Sequence, residues 1–155
     1  MSPRSTTGEF PMIDTTDYTP VTASLVPEDS RMGFYPAAFG EARMMRGEAL
    51  VLGYMGKLCQ EYKDAFWHFY TLSNGGYYMA PAIDAKMHLE VAGNWFSGSM
   101  SADAAGIVAT LFALGHLAAE AQGTAEGDAL IDRYHFLREY ALDHSEAAAI
   151  LGAID

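Results

Sequence analysis

The sequence has few of the residues that build covalent or metal-held sites. Its single cysteine, Cys59, excludes an intrachain disulfide and a cysteine-rich metal site. The five histidines have no spacing that places two metal ligands on one helix face, and no serine lies in a G-x-S-x-G sequence. Gly75 and Gly76 belong to no phosphate-binding pattern and are typical of a turn. An enzyme would therefore need a metal or a histidine cleft assembled from separate elements.

Basic residues are also scarce, with 9 Lys and Arg against 20 Asp and Glu, for a net charge of -11. This charge repels phosphate, so direct nucleic-acid binding is disfavoured. The imbalance is greatest after residue 99, where 9 acidic residues accompany only Arg133 and Arg138. Such an acidic surface either keeps a protein soluble or imitates the phosphates of DNA, and charge alone leaves both alternatives open.

No continuous apolar segment follows the amino terminus. Residues 1–20 are rich in Ser, Thr, Pro and Asp and lack the apolar core of a secretory signal, so we expect a flexible arm there. A hydrophobic content of 50% in 155 residues suffices for one buried core, which predicts a single domain over residues 21–155. The lone cysteine is compatible with a reducing cytoplasm.

The hydrophobic pattern predicts an α+β fold, in which a small antiparallel β-meander of about three or four strands packs against about four helices. β-branched and aromatic residues predict strands at 21–26, 66–72, 77–80 and 86–91, the last three forming the meander. Helical spacing predicts amphipathic helices at 41–60 and 128–142 and a short helix at 146–151.

The segment 101–121 is almost wholly apolar and is predicted to be a buried central helix. Ser101 is placed to cap its first turn, where the carboxylate of Asp103 also favours the helix dipole. No charged residue lies between Asp103 and Glu120, but this uncharged stretch is shorter than the ~20 residues that span a bilayer. We therefore expect a core helix and no membrane segment.

Aromatic residues concentrate around the predicted hairpin, and they are the best physical candidates for a recognition surface. Successive strand residues face opposite ways, so only one set can pack on helices and the other needs solvent or a partner. The alternative is that these rings all cover the helix layer. The residues concerned are Trp67, Phe69, Tyr70, Tyr77, Tyr78, Trp95 and Phe96.

Several long segments, in the same order, resemble the ArdB/KlcA family of antirestriction proteins, which mobile DNA elements use against the type I restriction enzymes of a bacterial host. They are VTASLVP at 21–27 with RMGF at 31–34, FWHFYTLSNGGYYMAP at 66–81, NWF at 94–96, MSADAAGIVAT at 100–110, YHFLREYALDHSEA at 134–147 and AID at 153–155. The resemblance implies a mixed α and β domain without catalytic activity or cofactor. It also implies interference with type I restriction of unmodified incoming DNA.

The leading hypothesis is an inhibitor that acts through protein contacts, on the type I restriction-modification complex or on a host factor that affects it. We expect a monomer or weak homodimer with no direct nucleic-acid binding. The candidate contacts are Trp67, Asn74, Tyr77, Tyr78, Asn94, Trp95, Asp103, Asp132, Glu139 and Asp143, on the assumption that they are exposed. If Asn94 or Asp103 is buried against backbone, its role is structural. The alternative is an acidic DNA mimic that occupies a basic DNA-binding groove.

Overall fold

The computed structural model describes residues 19–155. The arm predicted over residues 1–20 therefore lies almost wholly outside the described residues and stays a prediction.

Residues 19–155 form five strands and five α-helices, with two short 3₁₀ turns at Glu28–Gly33 and Glu41–Arg43. The strands are β1 (Ala23–Leu25), β2 (Trp67–Leu72), β3 (Tyr77–Pro81), β4 (Met87–Val91) and β5 (Phe96–Met100). The helices are α1 (Phe34–Phe39), α2 (Met44–Leu58), α3 (Ala102–Glu120), α4 (Ala125–Leu142) and α5 (Ala147–Ile154). The mixed α+β class is confirmed, and α1 and β5 are elements that the sequence pattern did not predict.

The strands form two separate antiparallel sheets, β1-β2-β3 and β4-β5. The predicted hairpin is confirmed, because β2 pairs with β3 across a turn in which Gly75 has φ 96° and Asn74 Oδ1 accepts the Gly76 N–H at 3.1 Å. The predicted continuation into a three-strand meander is wrong. The Ile83 N–H donates to the carbonyl of Pro81, which turns the chain away, and β4 pairs with β5 instead.

The helix α3 is the centre of the core, as predicted. The side chain of Ser101 caps it by accepting the Ala104 N–H at 3.1 Å. Its length and apolar composition would allow it to cross a membrane, but 72% of its most apolar window is buried within the protein, which is typical of a core helix. At Gly106 the helix backbone lies directly on β3, where a Cβ would collide with the Met79 carbonyl and Ala80.

Helices cover both faces of β3. Met79 is 0% exposed on the side of α3, where the Thr110 hydroxyl hydrogen-bonds to the Met79 backbone. The adjacent Tyr78 points to the opposite face, as successive strand residues do, and is 1% exposed because Tyr140 of α4 stacks on it. This sandwich leaves the hairpin without a free aromatic face on β3.

Candidate functional site

The ten candidate contacts differ widely in exposure. Trp95, Asp132, Glu139 and Asp143 are exposed, whereas Asn74, Tyr77, Asn94 and Asp103 are half-buried. Two expectations are wrong: Trp67 is only 6% exposed and donates its indole N–H to Tyr62, and Tyr78 lies in the core between Tyr70 and Tyr140. Both rings are covered because helices pack on both sides of the hairpin, which the alternation of strand residues does not reveal.

Asn74 joins the tip of the β2–β3 hairpin to α4. Its Nδ2 donates to the Phe136 carbonyl and to Glu139 Oε1, each at 2.9 Å. Nearby, the Arg133 guanidinium lies 5.8 Å from the ring centre of Tyr77. The structure therefore brings Asn74, Tyr77 and Glu139 together beside α4, with the Asn74 amide and the Glu139 carboxylate hydrogen-bonded to each other.

The exposed face of α4 carries a line of carboxylates, Asp128, Asp132, Glu139 and Asp143, which we call the α4 stripe. Their spacing places them within an arc of about 60° and along about 22 Å of helix. Asp143, at the end of α4, lies where the helix dipole disfavours negative charge. The stripe is the feature that a DNA mimic would use.

Asp103 is the centre of a polar network that links three elements. It accepts hydrogen bonds from the Tyr78 hydroxyl at 2.7 Å and from His144 Nε2 at 2.8 Å. Nδ1 of His144 in turn accepts the Glu146 N–H at 2.9 Å, which fixes the proton of the neutral ring on Nε2. The network thus ties β3, the start of α3 and the α4–α5 corner.

The network perturbs the ionisation of its members. Burial alone would raise the pKa of Asp103, but the hydrogen bonds from His144 and Tyr78 outweigh burial and lower that pKa below its usual value. Burial, followed by the charge of Asp103 and its hydrogen bond, raises the pKa of Tyr78 far above that of a free phenol. Asp103 therefore stays ionised, and its bonds run to side chains that hold the fold together.

A second site surrounds Trp95 in the turn between β4 and β5. Trp95 is 90% exposed and has a left-handed backbone with φ 64°. The preceding Asn94 fixes the turn, because its Nδ2 donates to the Ala153 carbonyl at 2.8 Å and its Oδ1 accepts the Phe96 N–H at 3.0 Å. Both polar groups of the Asn94 amide bind backbone, which gives this half-buried residue a structural role, and its contact with a partner stays a prediction.

Trp95 borders a groove of about 540 Å³ between the end of α2 and the β4–β5 ribbon, here called the Trp95 groove. Glu61 and Glu90 also line it, and His88 lies 3.2 Å from Glu90 and 3.1 Å from the Ser97 hydroxyl. The alternation of polar and apolar residues over 86–91 predicts that His88 and Glu90 share one exposed face of the strand. The contact of His88 with Ser97 could not be predicted, because Ser97 lies on the unpredicted strand β5.

The groove does not have the geometry of a nucleophilic site. Ser97, the serine that lines the groove, approaches the same His88 nitrogen as Glu90, so the imidazole cannot relay a proton from the Ser97 hydroxyl to that carboxylate. The Ser99 hydroxyl lies 3.2 Å from the other nitrogen, Nδ1, but Ser99 does not line the groove. Within residues 19–155, no three His, Cys, Asp or Glu side chains are grouped so that they could hold a metal ion. The groove is suited to contact through its aromatic ring and carboxylates.

Comparison with known proteins shows extensive similarity. A family model described as "Antirestriction protein" matches residues 60–155. An antirestriction protein KlcA from Escherichia coli is 62% identical over 136 residues, covering 88% of this chain and 96% of that protein. A second Escherichia coli antirestriction protein KlcA is 59% identical over 146 residues, covering 93% of this chain and 100% of its own length.

A solved structure gives the same result for the fold. It belongs to work on the KlcA and ArdB proteins, described as having a novel fold and antirestriction activity against type I DNA restriction systems in vivo but not in vitro. It superposes with a TM-score of 0.83 at 60% identity and covers 90% of this chain and 98% of the other. With the match over residues 60–155 and the two KlcA relatives, this shows that the chain belongs to the antirestriction protein family.

Proposed function

We propose that this protein protects unmodified incoming DNA from type I restriction in a bacterial cell, without catalysis or a cofactor. The observation that carries the proposal is similarity of both sequence and fold to antirestriction proteins over nearly the whole chain. We further propose that it works in the cytoplasm as a monomer or weak homodimer, with residues 21–155 as one domain.

The proposed mode of action is protein contact that depends on the cell. The related KlcA and ArdB proteins are active against type I systems in vivo but not in vitro. A competitor that simply filled the DNA-binding groove would inhibit the purified enzyme as well, because mass action needs no further component. This favours contact with a host factor, or with the restriction complex in a state that exists only in the cell.

The DNA-mimic alternative is supported by the α4 stripe, whose four carboxylates lie on one exposed face. It predicts that partner binding weakens steeply with salt, because an acidic mimic and a basic groove interact mainly through screened charge. It also predicts that protection is lost when Asp128 and Asp132 are neutralised. The protein-contact proposal predicts loss of protection when Trp95→Ala removes the exposed ring.

The direct test is the plating efficiency of an unmodified phage on cells with a type I restriction system, with and without this protein. A modified phage is the control, because restriction does not act on it. Restored plating of only the unmodified phage is expected. Equal plating with and without the protein, despite soluble expression, in a panel of type I systems would contradict the proposal.

A further inference from the structure

We propose that the Trp95 groove binds a basic segment of a partner protein, with an arginine or lysine side chain lying on the Trp95 ring and paired with Glu61 or Glu90. This inference rests on the proposed function, for which it names the chemistry of the partner. The groove volume of about 540 Å³ lies in the ~300–1,000 Å³ range of small-ligand pockets, enough for one or two partner side chains.

Trp95 is held out into solvent at a cost to the fold. Its ring is 90% exposed, whereas Trp67, the other tryptophan, is 6% exposed. A left-handed backbone costs a residue with a Cβ about 1–2 kcal/mol, and Asn94 imposes it through hydrogen bonds to Ala153 and Phe96. A large ring that buries almost nothing and strains its backbone does not serve stability, and tryptophan is the residue type most enriched at binding hot spots.

The charges around the ring select a cation. Glu61 and Glu90 are exposed at the groove, and the Glu90 side chain is 68% exposed. The one lysine that lines the groove, Lys57, has its ammonium 5.2 Å from the ring centre of Tyr54 and is engaged there. Glu90 shares its carboxylate with His88 at 3.2 Å but keeps most of its side chain exposed. An aromatic face beside the exposed carboxylates of Glu61 and Glu90 attracts a guanidinium or ammonium group through cation–π and ionic contacts.

Charge also decides between the possible occupants. A nucleic acid and an anionic lipid surface are both repelled by a chain of net charge -11 and by the groove carboxylates. A second copy of this chain carries the same net charge and is disfavoured for the same reason. A basic protein segment is the occupant that matches the ring and both carboxylates.

The binding test uses the two indole N–H signals of the ¹⁵N-labelled protein, one from each tryptophan. The probe is the peptide acetyl-Gly-Arg-Gly-Arg-Gly-amide, and the control peptide has Glu in place of Arg. We expect the Arg peptide to shift the Trp95 signal saturably while the buried Trp67 signal stays fixed. The double variant Glu61→Gln/Glu90→Gln should bind the Arg peptide at least fivefold more weakly.

Three results would overturn the inference: no Trp95 shift with the Arg peptide at millimolar concentration, an equal shift with the Glu peptide, or unchanged affinity in the double variant. The last result would mean that the carboxylates do not contribute. Both substitutions are on exposed side chains, and glutamine keeps the size and polarity of glutamate while removing its charge. Loss of the fold, visible in the whole NMR spectrum, is therefore not expected.

The cellular test compares the same double variant with Glu28→Gln/Asp84→Asn, which removes two exposed charges elsewhere. We expect the groove variant to lose at least tenfold in protection of unmodified phage and the control to stay within twofold of the parent. Equal losses in both variants would show an effect of net charge and overturn the inference. If the unaltered protein fails to protect, the proposed function fails. If it protects without a peptide-induced Trp95 shift, only the groove inference fails.

Discussion

Replacing Trp95 should reverse the usual order of alanine and glycine stability. Both substitutions remove the same exposed ring, which at 90% exposure contributes little burial. Alanine keeps the Cβ that strains the left-handed backbone at φ 64°, whereas glycine relieves it. Removing this backbone strain stabilises the fold by about 1–2 kcal/mol, and the greater entropy of glycine in the unfolded chain destabilises it by about 0.4–1 kcal/mol. Trp95→Gly should therefore be more stable than Trp95→Ala by about 0.5–1 kcal/mol.

Urea denaturation measures this difference, with the fluorescence of the buried Trp67 as the probe in both variants. The control is Ala148→Gly on the exposed side of α5, where glycine should lower the free energy of unfolding by about 0.5–1 kcal/mol. The two positions should thus respond to glycine with opposite signs. If Trp95→Gly is less stable than Trp95→Ala, the turn carries no strain that glycine can relieve, and the reasoning is refuted.

Three further predictions concern the core and its polar links. Gly106→Ala should lower the free energy of unfolding by about 1–3 kcal/mol in thermal or urea denaturation, because the new methyl group meets the backbone of β3. The control is Gly53→Ala on α2, where a Cβ has open space around it, and this substitution should raise the free energy of unfolding by up to about 1 kcal/mol. Asp103→Asn should cost about 1–2 kcal/mol at pH 7, at the low end for a charged hydrogen-bond acceptor because the side chain is 37% exposed. The pKa of Asp103 is lowered in the folded protein, so the ionised carboxylate stabilises the fold fully above the unfolded pKa of about 4. This stabilisation is lost as the pH falls through the folded pKa. If the loss of stability in Asp103→Asn stays constant down to pH 2, the hydrogen bonds of Asp103 do not depend on its charge. Asn94→Ala should lower the free energy of unfolding by about 1–2 kcal/mol, because the turn loses three hydrogen bonds to backbone. The chemical shift of the Trp95 indole should report the altered turn. An unchanged free energy of unfolding would show that these three hydrogen bonds are dispensable.

The long elements could be predicted from the sequence because a single local signal defines each of them. The apolar run with Ser101 before it is sufficient for α3, and the turn around Gly75 between two aromatic segments is sufficient for the β2–β3 hairpin. The strand β5 was missed because Phe96–Met100 contains two serines and a glycine, which have little strand preference. This segment is a strand because it pairs with β4, and that pairing cannot be recognised from the residues of the segment alone.

The candidate contacts show the same limit. Exposure of Trp95 and burial of Trp67 cannot be distinguished by residue type, since both tryptophans lie in or beside predicted strands. What separates them is the position of Tyr62 and the helices around one ring, and the turn fixed by Asn94 around the other. Likewise, the link from Asp103 to His144 joins residues 41 positions apart and has no local pattern.

The hydrogen bonds of Asn94 to the Gly152 and Ala153 carbonyls have a practical meaning for the way the protein is handled. They anchor the last turn of α5 directly beneath the turn that presents Trp95. Asp155 follows this anchor closely and its carboxylate lies 3.6 Å from Arg138 of α4. A fusion attached after Asp155 that disturbs the last turn of α5 is therefore expected to disturb the turn that presents Trp95, and an amino-terminal fusion is the better choice for assays of partner binding.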